Sequence, residues 1–187
     1  IGLLVPDIQS TFYSMVAQKL SDCIEKEGFH LALSLTGDDR DVELEQMKEL
    51  FSARVAGIVT VLSAAPRRET IALLKMVPHV QLLRRIPGLG DWFGMDEERA
   101  IHEATTHLLD LGHRRIGFIG DLIYSTGVSR YEGYCKALSG SKLKVDKSLV
   151  ELGPPNAPFG AEAVSRLLSR TSRPTAIITT SVQITLG

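Results

Sequence analysis

The chain has 187 residues, 44% of them apolar and 23% charged, with a net charge of −1. That balance fits one large or two small globular domains and excludes a disordered segment. Near-neutral charge excludes a general attraction for phosphate backbones, and the two cysteines, Cys23 and Cys135, exclude a disulfide framework. Both lie in helix-like segments, which predicts reduced thiols in a cytoplasmic protein. No apolar run reaches the roughly 18 residues that span a bilayer.

The first element is an apolar strand, Ile1-Gly2-Leu3-Leu4-Val5, with no lead-in. The last residues, 179–187, stop as a helix begins, so both ends are expected to be cut from a longer protein. Between them, β-rich apolar runs recur at 29–35, 55–62, 79–83, 115–119, 149–152 and 175–180. Helical spacing carries Phe12, Met15, Val16, Leu20, Cys23 and Ile24 through 12–27, and Gly28 ends that run. Asp41 is the expected cap of a second helix bearing Val42, Leu44, Met47, Leu50 and Phe51. The segment Arg84–Asp91 is loop-like, and Trp92–Met95 is a short extended piece. A helix over 97–111 then closes at Gly112.

The run Leu111-Gly112-His113-Arg114-Arg115-Ile116-Gly117-Phe118-Ile119-Gly120 ends that helix and opens a buried strand. Ser129-Arg130-Tyr131-Glu132-Gly133-Tyr134 is expected to begin the next helix, with Ser129 as its cap and Arg130 exposed near the strand's carboxyl end. Strand–helix alternation predicts an α/β fold of two lobes, each a mostly parallel sheet flanked by helices. The crossing falls near Asp96, giving an N-terminal lobe at 1–96 and a C-terminal lobe at 97–187.

Catalytic and cofactor motifs fail when their spacing is tested. His102 and His107 stand five residues apart, about 140° around a helix, whereas zinc-ligating pairs share one face. Gly88, Gly90 and Gly94 do not link a strand to a helix start as a dinucleotide loop must. Ser129 lacks the flanking glycine and partnered histidine of a nucleophile. No enzyme activity, metal or cofactor is therefore expected. Polar, aromatic and cationic residues collect instead at predicted strand ends: Asp7, Ser10, Phe12 and Tyr13 after the first strand, Arg84 after the fourth, Asp96 at the crossing, and Arg130 after the sixth. Parallel α/β sheets bind small ligands at that edge. Rings cover carbon faces there, and bidentate groups read pairs of oxygens.

These phrases resemble the effector-binding region of the LacI/GalR transcription regulators. Ile1–Asp7 is similar to that family's first strand, Phe12-Tyr13 to its aromatic pair, and Arg54–Val59 to the entry of its third strand. Gly112–Ile116, Ser129-Arg130 with Gly133-Tyr134, and Pro174–Gly187 extend the resemblance along nearly the whole chain. It implies a periplasmic-binding-protein-like core with ligand between the lobes, and it adds Ser181 to the ligand-facing set. It also implies a homodimer, with apolar residues on the helices at 41–53 and 66–77 as candidate contacts. Operator DNA is implied as a partner through an N-terminal helix-turn-helix, outside this sequence, whose spacing responds to ligand. C-terminal strands completing both lobes are implied as well, and no membrane is expected among the partners.

Three departures bear on the ligand. Ser10-Thr11 stands where the family commonly has Asn-Pro, Leu83 where it has Asp before the arginine, and Ser181-Val182 where it often has Asn-Asp. Losing two carboxylates while keeping Arg84 and Arg130 predicts an anionic effector, a sugar acid or phosphosugar, over a plain sugar. The alternative function on this fold is a periplasmic sugar-binding protein of a transport system. The Gly112–Ile116 run is more typical of regulators.

Overall fold

Gly2–Val5 (β1) is buried at every position because strands flank it on both edges and side chains from helices cover both faces. Such two-sided burial is what an unbroken apolar run signals in a parallel sheet. The computed structural model describes all 187 residues as two units, Ile1–Met95 and Asp96–Gly187.

In the N-terminal unit β1 is followed by α1 (Thr11–Glu25), β2 (Ala32–Leu35), α2 (Arg40–Ser52), β3 (Ile58–Thr60), α3 (Arg68–Leu74), β4 (His79–Leu82) and β5 (Asp91–Phe93). The strands lie in the order β2-β1-β3-β4-β5, all parallel. The extended piece at Trp92 is thus a true edge strand. Leu3, Val5, Val61 and Leu82 pack with Tyr13, Val16, Ala17 and Leu20 of α1. Leu4, Ile58 and Leu62 pack with Met47, Leu50 and Leu74 of α2 and α3. Each fully buried aliphatic side chain here contributes about 1.5–3 kcal/mol. The chain passes from β1 to β2 and then back across to β3, so the β1/β3 edge is the switch point where the connections diverge.

The C-terminal unit runs α4 (Glu97–Asp110), β6 (Ile116–Gly120), α5 (Ser125–Gly140), β7 (Val150–Leu152), α6 (Ala157–Ser169), β8 (Ala176–Thr179) and α7 (Val182–Leu186). Its parallel sheet has the order β7-β6-β8, with the switch point between β6 and β8. Phe118 and Ile116 pack with Leu109 and Tyr134, and Ile119 packs with Phe159, Leu167 and Ile184. No helix in either unit is long and apolar enough to cross a membrane.

Two local expectations change. Asp39, not Asp41, caps α2: its carboxylate accepts from the amides of Asp41 at 2.7 Å and Val42 at 3.1 Å. Asp41 sits inside the first turn and pairs with Arg67. Helix α5 begins at Ser125, a turn before Ser129, because Asp121 accepts from the amides of Ile123 and Tyr124 and turns the chain early. Ser129 is therefore interior to the helix and caps nothing. On the helices at 41–53 and 66–77, Met47 and Leu74 are fully buried inside the unit, whereas Val42 and Met76 remain exposed. Further exposed apolar side chains lie on α1 (Phe12, Met15) and on β2 (Leu33, Leu35).

Candidate functional site

At the carboxyl edge of the N-terminal sheet, Asp7 accepts from the Ser10 amide at 2.8 Å and so shapes the turn that starts α1. Ser10 stands at the cap position without a side-chain capping bond. The adjacent rings of Phe12 and Tyr13 meet edge to face, with centroids 5.5 Å apart. Tyr13 leans into the core beside Leu3 and Val5, whereas Phe12 is 43% exposed. Phe12 is the ring available to an outside carbon face.

Arg84 follows β4 through a tight turn. Leu83 has φ 61°, and the Arg84 amide donates to the Leu82 carbonyl at 2.7 Å. A branched side chain rarely takes this left-handed conformation, and such strain collects at functional sites. The turn sends the guanidinium back across the sheet edge, where Nη1 and Nη2 donate to the two carboxylate oxygens of Asp38 and Nη1 also donates to the Leu62 carbonyl. Asp38 is itself left-handed, with φ 60°.

Beside this pair, Glu43 of α2 is fully buried and accepts from the Ser63 amide at 2.5 Å and from Ser63 Oγ at 3.1 Å. Burial pushes its carboxyl above the ordinary range, and the Ser63 bonds and Arg84 charge only partly offset that. Asp38, Glu43 and Ser63 escape a reading of motifs. Glu43 nonetheless leaves a trace in the sequence: it occupies the stripe shared by Met47 and Leu50, where an acidic residue is out of place.

In the C-terminal unit, Asp96 caps α4 by accepting from the Arg99 amide at 3.0 Å. Ser181 Oγ caps α7 by accepting from the Ile184 amide at 3.2 Å. Arg130, in the second turn of α5, is not the exposed cation expected from sequence. Its side chain is 21% exposed, with Nε 2.7 Å from Glu97 Oε2 and Nη1 2.6 Å from the Thr180 carbonyl. Close approach of α5 to α4 makes the contact possible: a Cβ on Gly133 would stand 2.2 Å from the Glu98 carbonyl oxygen. Gly127 is likewise pressed against Asp121 at the end of β6.

The premise of two arginines lacking acidic partners is thereby overturned. Each has a carboxylate within its own unit, Asp38 for Arg84 and Glu97 for Arg130.

Both sheets thus place an arginine, a carboxylate and a strand-end carbonyl at the switch-point edge, the architecture of a ligand-binding α/β protein. A sequence model of the periplasmic binding proteins and the sugar binding domain of the LacI family matches residues 1–187, and the chain belongs to that family. It is 28% identical over 196 residues to the catabolite control protein A of Priestia megaterium, covering 100% of this chain and 58% of that protein. It is 28% identical over 180 residues to the HTH-type transcriptional regulator GalR of Salmonella typhimurium, covering 95% of this chain and 53% of that one. The chain therefore spans somewhat over half the length of these relatives. Among solved structures, a putative ribose operon repressor from Burkholderia thailandensis superposes with a TM-score of 0.87 at 29% identity, covering 98% of this chain and 69% of that one.

Proposed function

We propose that residues 1–187 form the effector-binding and dimerisation core of a DNA-binding transcription regulator that senses a small sugar-like metabolite. The observation that carries this reading is the pairing of arginine and carboxylate at the switch-point edge of each sheet, in a chain whose relatives along its whole length are regulators. Arg84 and Arg130 anchor ligand oxygens, Phe12 covers a carbon face with Tyr13 braced edge to face against it, and the polar groups of Asp7, Ser10, Asp96 and Ser181 complete the recognition. Effectors of this chemistry include sugars, sugar acids and phosphosugars.

The protein acts as a cytoplasmic homodimer without catalysis, and it contacts its operator through a helix-turn-helix outside this sequence. Residues 1–187 alone bind no operator, because their charge is near neutral and no basic recognition helix is present. The test is a thermal-shift screen of the full-length protein over sugars, sugar acids and phosphosugars, followed by operator binding with and without each hit. A ligand that binds only the folded state raises apparent stability by mass action. A hit that changes operator affinity supports the reading. A protein that binds sugar and is exported, with no DNA affinity at physiological salt, is the transport alternative.

A further inference from the structure

The Arg130 site leaves polar groups without partners. Arg130 uses Nε and Nη1, while Nη2 carries no protein acceptor. Glu97 is only 7% exposed, and its Oε1 is buried with no donor. Thr180 is 6% exposed, and its Oγ1 is buried without a partner. Buried polar atoms in native proteins are nearly always satisfied, so a cluster of such groups beside a ligand-binding edge marks what the ligand supplies.

A carboxylate or phosphate offers acceptors alone. It could satisfy Nη2, but it would leave Glu97 Oε1 unpaired and bring a second anion against Glu97 in a poorly solvated site. It would also find Nε and Nη1 already committed to Glu97 and the Thr180 carbonyl, leaving Nη2 as the one wholly unengaged nitrogen and weakening a bidentate grip. A hydroxyl both donates and accepts. One hydroxyl can donate to Glu97 Oε1 and accept from Arg130 Nη2, and a neighbouring hydroxyl can pair with Thr180 Oγ1. Both oxygens are buried, so the ligand reaches them with a side-chain rearrangement of the kind common on binding.

We infer that Glu97 is a specificity-determining residue, which makes the Arg130 site a reader of adjacent hydroxyls and bars anionic groups from it. The inference rests on the effector-binding reading above and assigns one part of the ligand to one site. An anionic group elsewhere on the same effector is compatible with it.

The test uses the full-length protein and two kinds of probe. Inorganic sulfate, followed by thermal shift and calorimetry, reports the local charge without any knowledge of the effector. Glu97→Gln is expected to gain sulfate affinity by about tenfold or more, and the Glu97→Gln/Arg130→Gln double variant to lose that gain. Equal sulfate binding by wild type and Glu97→Gln, or a gain that survives in the double variant, overturns the inference. If the glutamine variant does not fold, Glu97→Ala carries the same readout. The second probe is the neutral sugar from the screen that most stabilises the wild type, with its deoxy analogues. Glu97→Ala is expected to weaken that sugar about tenfold or more and to bind one deoxy analogue as well as the parent, whereas an unchanged sugar affinity overturns the inference. A sulfate gain without any sugar binding leaves the selectivity standing and removes the effector reading.

Discussion

In the N-terminal unit Arg84 grips both carboxylate oxygens of Asp38 and the Leu62 carbonyl, whereas in the C-terminal unit Arg130 grips one oxygen of Glu97 and the Thr180 carbonyl. The first arrangement is saturated. Asp38 has both oxygens bonded, Glu43 has both engaged by Ser63, and two left-handed residues, Asp38 and Leu83, hold the backbone where the fork can close. The second arrangement is open, because Glu97 Oε1 and Thr180 Oγ1 have no partners. Similar residue types at equivalent edges of two parallel sheets therefore make a pair with every carboxylate oxygen bonded in one unit and a pair with an unbonded carboxylate oxygen in the other. What separates them is the number of lone pairs left over.

The largest expected effect is at the helix crossing that brings Arg130 to Glu97. Gly133→Val drives a side chain into the Glu98 backbone, which cannot yield as a flexible side chain could. Overpacking of this kind costs about 3 kcal/mol or more. Hydrogen exchange on the full-length protein should lose protection across residues 96–187 while residues 1–95 keep theirs. Uniform loss across both units would show that the units do not respond separately.

Double-mutant cycles test the contrast directly. Removing Arg84 leaves Asp38 and the Leu62 carbonyl unpaired, and Arg84→Ala should cost about 2–3 kcal/mol, less than a fully buried pair because Asp38 is partly exposed. The Arg84–Asp38 coupling should exceed the Arg130–Glu97 coupling by about 1 kcal/mol, since a fork with two parallel bonds outweighs a single one. Equal couplings in urea denaturation would erase the distinction between the two pairs.

Glu43 gives the comparison a pH signature. Its folded-state carboxyl lies above the ordinary value near 4.5, chiefly from burial, so the native state holds the proton more tightly than the unfolded chain does. The stability this contributes is full below the ordinary value and is lost as pH rises through the raised folded value. Lowering the pH from 7 toward 5 should therefore stabilise the N-terminal unit relative to Glu43→Gln, with no matching gain in the C-terminal unit. An identical pH dependence of wild type and Glu43→Gln would mean that the Ser63 bonds fully offset the burial.

The sequence made the sheets legible because strands buried on both faces, such as Leu3-Leu4-Val5 and Ile116–Gly120, leave unbroken apolar runs. It made Arg84 and Arg130 legible because they follow such strands. Their partners were not legible. Asp38 reaches Arg84 across 46 positions and Glu97 reaches Arg130 across 33, and no local pattern encodes contacts made by strand order and helix crossing. Exposure of Arg130 was misjudged for the same reason. A cation following a strand looks free until the neighbouring helix is in place.

Helix starts show the same limit at smaller energy. Two acidic residues, Asp39 and Asp41, bracket the beginning of α2, and composition alone does not say which caps it. In the structure Asp39 takes two amide bonds, while Asp41 makes an exposed pair with Arg67. Asp39→Ala should then cost about 1 kcal/mol, the usual worth of a lost cap, and Asp41→Ala clearly less, because an ion pair exposed to solvent is weak. In the C-terminal unit the start of α5 has no side-chain cap at Tyr124, and Ser129 lies a turn inside the helix. Ser129→Ala should accordingly leave stability unchanged within about 0.5 kcal/mol, while Asp121→Ala, which frees the Ile123 and Tyr124 amides, should not. If Ser129→Ala proved as costly as Asp39→Ala in chemical denaturation, the placement of the α5 start, and with it the position of Arg130 one residue on, would need revision.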